Sequence, residues 1–130
     1  MSPLDPRVRD LVKCEDMRIH AESAREFLDA YSLPEFLADK LLQMAVVRCV
    51  EVIGEAARLV SNDTRRRTPE IPWTMIIGMR NVLAHDYGAV DLDRVYSIVM
   101  DHLPHLIKCL GELISTLEEE VGWLKDENDE

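Results

Sequence analysis

Leu92, Tyr96, Val99, Leu103, Leu106, Leu110, Leu113 and Leu117 recur at alternating steps of four and three. That spacing lines apolar side chains along one face of a helix that packs at a shallow angle against other helices. A chain with such a seam must supply partner helices, and the upstream sequence does. Leu4, Val8, Leu11, Cys14, Met17, Ala21, Ala24, Leu28 and Tyr31 are spaced by three or four, which predicts a long helix led by Asp5 and Pro6 as cap and first-turn residues. Ser32 and Pro34 break it. A second helix is predicted from Pro34 to about Val60, carrying Leu37, Leu41, Leu42, Ala45, Val46, Cys49, Val50, Ile53, Ala57 and Val60; its wide stripe marks it as central. Ser61 to Glu70 is polar and reads as a loop or short helix. Pro72 then opens a helix from Trp73 to about Asp86 that stops near Gly88. The last helix starts at Asp91 or Leu92, and Pro104 within it predicts a kink or interruption. With no alternating strand pattern anywhere, the expected fold is all-α: an antiparallel bundle of four main helices plus a short helix.

A length of 130 residues fits one domain. The expected division is a bundle over residues 1–122 and an acidic, frayed tail over 123–130. Hydrophobic residues at 47% and charged residues at 31% allow both a packed core and a charged surface. Against 25 acids stand 15 Lys and Arg, so the net charge of -10 excludes a protein that coats nucleic acid by bulk electrostatics. The charge is uneven, however. The acids crowd toward the carboxy terminus, while Arg58, Arg65, Arg66, Arg67 and Arg80 face only Asp63 and Glu70 across their stretch, which leaves room for a local basic surface. Cys14, Cys49 and Cys109 lie too far apart for a paired-thiolate zinc site or a disulfide framework and read as reduced core thiols. The charged amino terminus lacks a signal peptide's apolar stretch, and no apolar run approaches the roughly 18 residues of a membrane span. A cytoplasmic protein without a membrane partner is expected.

Gly54, Ala56 and Ala57 suit close helix packing. Trp73 and Trp123 read as packing anchors rather than base-stacking platforms. His102 and His105, three apart on one helix, have no nearby third ligand and read as surface or interface side chains rather than a metal site.

The unusual segment is Gly78-Met79-Arg80-Asn81-Val82-Leu83-Ala84-His85-Asp86-Tyr87-Gly88. On a helical wheel Met75, Ile76, Met79, Val82 and Leu83 form an apolar arc, while Arg80, Asn81, Ala84 and His85 take the other side. A merely solvated face would more often carry Lys, Glu and Gln. A guanidinium, an imidazole and a phenol together suit phosphodiester chemistry: His transfers a proton near neutral pH, and Arg grips phosphate oxygens bidentately. The structural alternative pairs Arg80 with Asp86 or Glu55 and leaves His85 in a helix-terminal hydrogen bond. Arg80 and His85 stand roughly 140° apart on one helix, so joint action calls for unwinding near Gly88, a long Arg reach, or a second copy of the chain.

Arg80, four residues, His85, one residue and Tyr87, after the Pro72-Trp73 start and before an acid-led helix with Leu103-Pro104, resembles the HepT-like toxins of the HEPN superfamily. Val52-Ile53-Gly54-Glu55-Ala56-Ala57 is similar to the same family, and the resemblance covers most of residues 5–117. It implies a helical bundle that homodimerises, or forms a higher even oligomer, with both motifs lining one cleft. It further implies a metal-independent endoribonuclease toxin without a cofactor, acting on RNA and inhibited by a nucleotidyltransferase antitoxin that adds AMP to Tyr87. Carried over, His85 is the general base or acid and Arg80 the phosphate contact. Asn81 orients His85 or binds backbone, and Tyr87 is the modified and RNA-contacting residue. The main rival is a noncatalytic helical module that binds and regulates the nucleotidyltransferase, which the acidic charge favours; a purely structural dimerisation bundle leaves the polar quartet unexplained.

Overall fold

A computed structural model describes residues 5–79, 83 and 90–129, with side chains through residue 126. The described residues form helices joined by short turns and contain no strand. The helices are α1 (Pro6–Leu28), α2 (Leu33–Ala38), α3 (Lys40–Arg58), α4 (Asn62–Arg67), α5 (Trp73–Gly78), α6 (Leu92–Ser97) and α7 (Leu103–Asp129), with a π turn over Ile98–His102 joining the last two. The backbone of the acidic tail is helical through Asp129.

Local sequence explains the helix starts. Asp5 accepts from the Arg7 amide at 2.9 Å with Pro6 in the first turn. Ser32 and Glu35 cap α2 reciprocally, and Asp91 caps α6 by accepting from Arg94; each satisfies amides that a helix start leaves open. The second predicted helix is divided. Asp39 adopts an extended conformation and accepts from the Leu42 amide at 3.0 Å, so it ends α2 and begins α3. The break also reassigns the apolar stripe: Phe36 is buried, whereas Leu37 and Leu41 are 43% and 80% exposed.

α1 packs against both α3 and α7, and these three form the frame. Cys14, Met17, Ala21, Ala24 and Leu28 of α1 meet Val46, Val50, Ile53 and Ala57 of α3 and Leu106, Leu110, Leu113 and Leu117 of α7 in one buried cluster. Gly54, Ala56 and Ala57 are buried on α3, as close packing requires. Complete burial of a large aliphatic side chain contributes about 1.5–3 kcal/mol, so the seam is the principal source of stability. All three cysteines are free and buried. Burial pushes the Cys14 thiol up to about 12, with the charges of Asp10 and Glu15 adding to the effect.

Pro104 disturbs the last helix just before the ring. It has no N–H to offer the carbonyls one turn back, and the chain responds with the π turn. Arg25 of α1 fills the gap: its Nη1 donates to the Val99 and Met100 carbonyl oxygens, each at 3.4 Å, and lies 3.3 Å from Met100 Sδ. A proline defect is thereby converted into a contact between two helices.

Candidate active site

The segment that the sequence singles out follows α5, and α5 itself is held by a buried hydrogen-bond chain that starts at Asp10. Asp10 lies on the buried stripe of α1 and is completely buried. Its carboxylate accepts from the Ser61 amide at 2.9 Å, the Ser61 hydroxyl at 2.6 Å and the Thr64 hydroxyl at 2.6 Å. The relay continues from α4. Thr68 Oγ1 donates to the Thr64 carbonyl at 2.8 Å and accepts from Trp73 Nε1 at 3.0 Å. A buried chain of hydrogen bonds thus runs from α1 through α4 to the first residue of α5. Charge-assisted bonds of this kind are the stronger class, and among the described residues no buried side-chain polar atom lacks a partner.

The arginine triplet is largely spent on structure. Arg65 donates to the carbonyls of Val60 and Arg58 at 2.9 and 3.0 Å, closing the end of α3. Arg67 makes a forked ion pair with Glu120 of α7, and Arg7 approaches the same carboxylate at 3.8 Å. The Glu120 carboxylate in turn raises the Arg67 pKa. Arg66 is exposed and only 3.8 Å from Asp63. The local basic surface admitted by the sequence is therefore reduced to one outward arginine in this triplet.

α5 buries Trp73 and Ile76, and the chain leaves it through the buried Met79. Beside this exit, Met75, Gly78 and Met79 face Arg94, Ser97, Ile98 and His102 across a hollow of about 500 Å³. A more apolar hollow of about 290 Å³ adjoins it, reaching Pro72, Leu103 and Leu106. Arg80, Asn81, His85 and Tyr87 lie outside the described residues, as does the rest of the helix expected to run to Asp86 apart from Leu83. Met79, the last described residue before the motif, lines the polar hollow.

His102 and His105 are exposed, in keeping with a surface reading, and His105 Nε2 lies 3.4 Å from Cys109 Sγ. Among the described residues no three His, Cys, Asp or Glu side chains come together as a metal site. Trp73 is the packing anchor expected of it. Trp123 is not; it is 69% exposed, because its position falls off the α7 seam. Sequence reasoning missed Asp10, Arg25 and Arg94. For Asp10 the signal was present, an acid in register with Cys14 and Met17, while the partners of the other two depend on tertiary packing.

The model of the "Ribonuclease HepT-like" family matches residues 17–113, a stretch that spans α5, the Arg80 to Tyr87 motif and most of the α7 seam. The chain belongs to the HepT-like ribonuclease family. Among its relatives, "Probable ribonuclease HepT" of Thermococcus cleftensis is 39% identical over 92 residues, 71% of this chain and 84% of that protein. "Putative RNase MJ1380" of Methanocaldococcus jannaschii is 36% identical over 93 residues, covering 72% and 85% respectively. "Putative RNase MJ0125" of the same organism is 34% identical over 104 residues, covering 80% and 90%. No solved structure matches the chain significantly. Membership of this family supports ribonuclease activity and RNA as the substrate class. Among the described residues, no helix is long and apolar enough to cross a membrane.

Proposed function

We propose that this protein is a cytoplasmic, metal-independent endoribonuclease toxin of a toxin-antitoxin pair, with His85 moving the proton and Arg80 holding the phosphate. The family match carries the reading because it spans the Arg80, His85 and Tyr87 motif. Support comes also from the polar hollow at Met79, one bond before Arg80. In the proposed reaction the RNA 2′-hydroxyl attacks the adjacent phosphorus. His85 takes the hydroxyl proton or protonates the departing 5′ oxygen, and Arg80 offsets charge on the nonbridging oxygens. The products are a 2′,3′-cyclic phosphate and a 5′-hydroxyl. Since the substrate supplies its own nucleophile, a metal-activated water is not required.

Asn81 orients His85 or binds the RNA backbone in this reading. The 140° separation of Arg80 and His85 on a helix is bridged by a second copy of the chain, so the working unit is a homodimer or a higher even oligomer. Control falls to a nucleotidyltransferase antitoxin. The Tyr87 phenol attacks the α-phosphorus of ATP, pyrophosphate leaves, and the attached AMP places an anion where RNA phosphate would sit. The net charge of -10 favours one rival specifically, a noncatalytic module that binds the nucleotidyltransferase.

Cleavage of RNA by the purified, unmodified protein in EDTA separates the two. His85→Ala should lower the rate by roughly 10²-fold to 10⁴-fold, the range for a lost general acid or base. Absence of cleavage by the wild type, or an undiminished His85→Ala, leaves the binding module as the better account. Coexpression with the adjacent nucleotidyltransferase should raise the intact mass by one or more AMP units, and Tyr87→Phe should abolish the increase.

A further inference from the structure

We infer that Arg94 is an RNA-binding residue that grips a backbone phosphate in the hollow beside α5, a deduction that rests on the ribonuclease reading and extends it to a position outside the motif. Arg94 is exposed on α6 and lines the hollow with the His102 imidazole and with Ser97, whose hydroxyl donates to Asp101 at 3.1 Å. The floor is apolar and supplied by Met75 and Met79. A volume of about 500 Å³ falls within the roughly 300–1,000 Å³ typical of ligand sites. One cation and one imidazole over apolar Met75 and Met79 match a nucleotide, which offers an anionic phosphate and a flat base.

The location strengthens the assignment. Met79 lines the same hollow, and the proposed phosphate contact Arg80 is the next residue in the sequence. The arginine lining this hollow, among the described residues, is Arg94. Among the described residues Arg94 forms no ion pair, whereas Arg67 is occupied by Glu120. In a chain with net charge -10, such cations matter more, because RNA approaches against the global field and is held by local contacts.

The test uses a fluorescent single-stranded RNA with 2′-O-methyl groups, which lacks the attacking hydroxyl and binds without being cleaved. Its affinity for the unmodified full-length protein is measured against salt. Losing one phosphate contact should flatten the slope of log K against log salt by about 0.7 in Arg94→Gln, and Arg94→Lys should keep the slope. With cleavable RNA, Arg94→Gln should raise KM about tenfold with little change in kcat, the signature of lost uniform binding. Arg66→Gln, outside the hollow, should leave both measurements unchanged. An unchanged slope and KM in Arg94→Gln overturn the assignment of Arg94 alone. Equal losses at Arg66 and Arg94 overturn it too, by reducing Arg94 to part of a diffuse field. Failure of the wild type to bind the probe overturns the ribonuclease reading as well.

Discussion

The α4 corner and the hollow beside α5 use polar side chains in opposite ways. At the corner Asp10 is completely buried and accepts three hydrogen bonds, and Glu120, with only 14% of its side chain exposed, holds Arg67 and Arg7. Beside α5, Arg94 and His102 line open volume, and Met75 keeps 45% of its surface exposed. Polar groups taken out of water must be paired, so the corner is fixed in one geometry. Polar groups left around a hollow keep their capacity for an incoming ligand. The corner anchors α5 through Thr64, Thr68 and Trp73, and so presents the end of α5 to the hollow.

That contrast is most exposed to attack at Asp10. Asp10→Ala strands the donors of Ser61 and Thr64 and should cost about 3 kcal/mol or more, at the high end for one substitution. Urea denaturation with a two-state fit reads the loss, and a cost under about 1 kcal/mol would remove the distinction between the two regions.

Arg25 offers a finer test. Arg25→Ala uncovers the Val99 and Met100 carbonyls and should cost about 1–2 kcal/mol. In a Pro104→Ala background the restored amide can serve a carbonyl itself, so the same change should cost less. A double-mutant cycle measures that coupling, and strict additivity would show that Arg25 does not compensate for the proline.

The smallest effect belongs to Glu120. Arg67 is 39% exposed in its pair, so solvent screening leaves Glu120→Gln a cost of about 0.5–1 kcal/mol, reduced further by salt. A thermal melt at low and high salt separates this contribution from packing.

The bundle was legible in the sequence where apolar spacing is uninterrupted. The seam from Val99 to Leu117 is buried as expected, and Asp5, Pro6 and Asp91 mark helix starts. The division at Asp39 was not, because Leu37 and Leu41 continue the apolar spacing across it and hide a residue whose side chain caps the next helix. Trp123 misled for a related reason: size suggested burial, but burial follows from facing a neighbour. At the candidate site the motif carried the resemblance to the family whose model the chain matches. Its setting was not legible, since Asp10 meets Ser61 from 51 positions away and the hollow forms only when α5 meets α6 and the π turn.

A π turn contains about one residue more than an α turn, which offsets the two sides of the last helix by close to 100°. Upstream, α6 addresses α2 and α3, with the Tyr96 ring 5.8 Å from that of Phe36. Downstream, α7 turns its leucines to α1. The turn therefore acts as a phase shifter, letting one rod serve two differently oriented neighbours. Deleting a single residue from 98–102 would remove the extra residue and rotate Arg94 and Ser97 relative to α5, altering the hollow while the seam stayed intact.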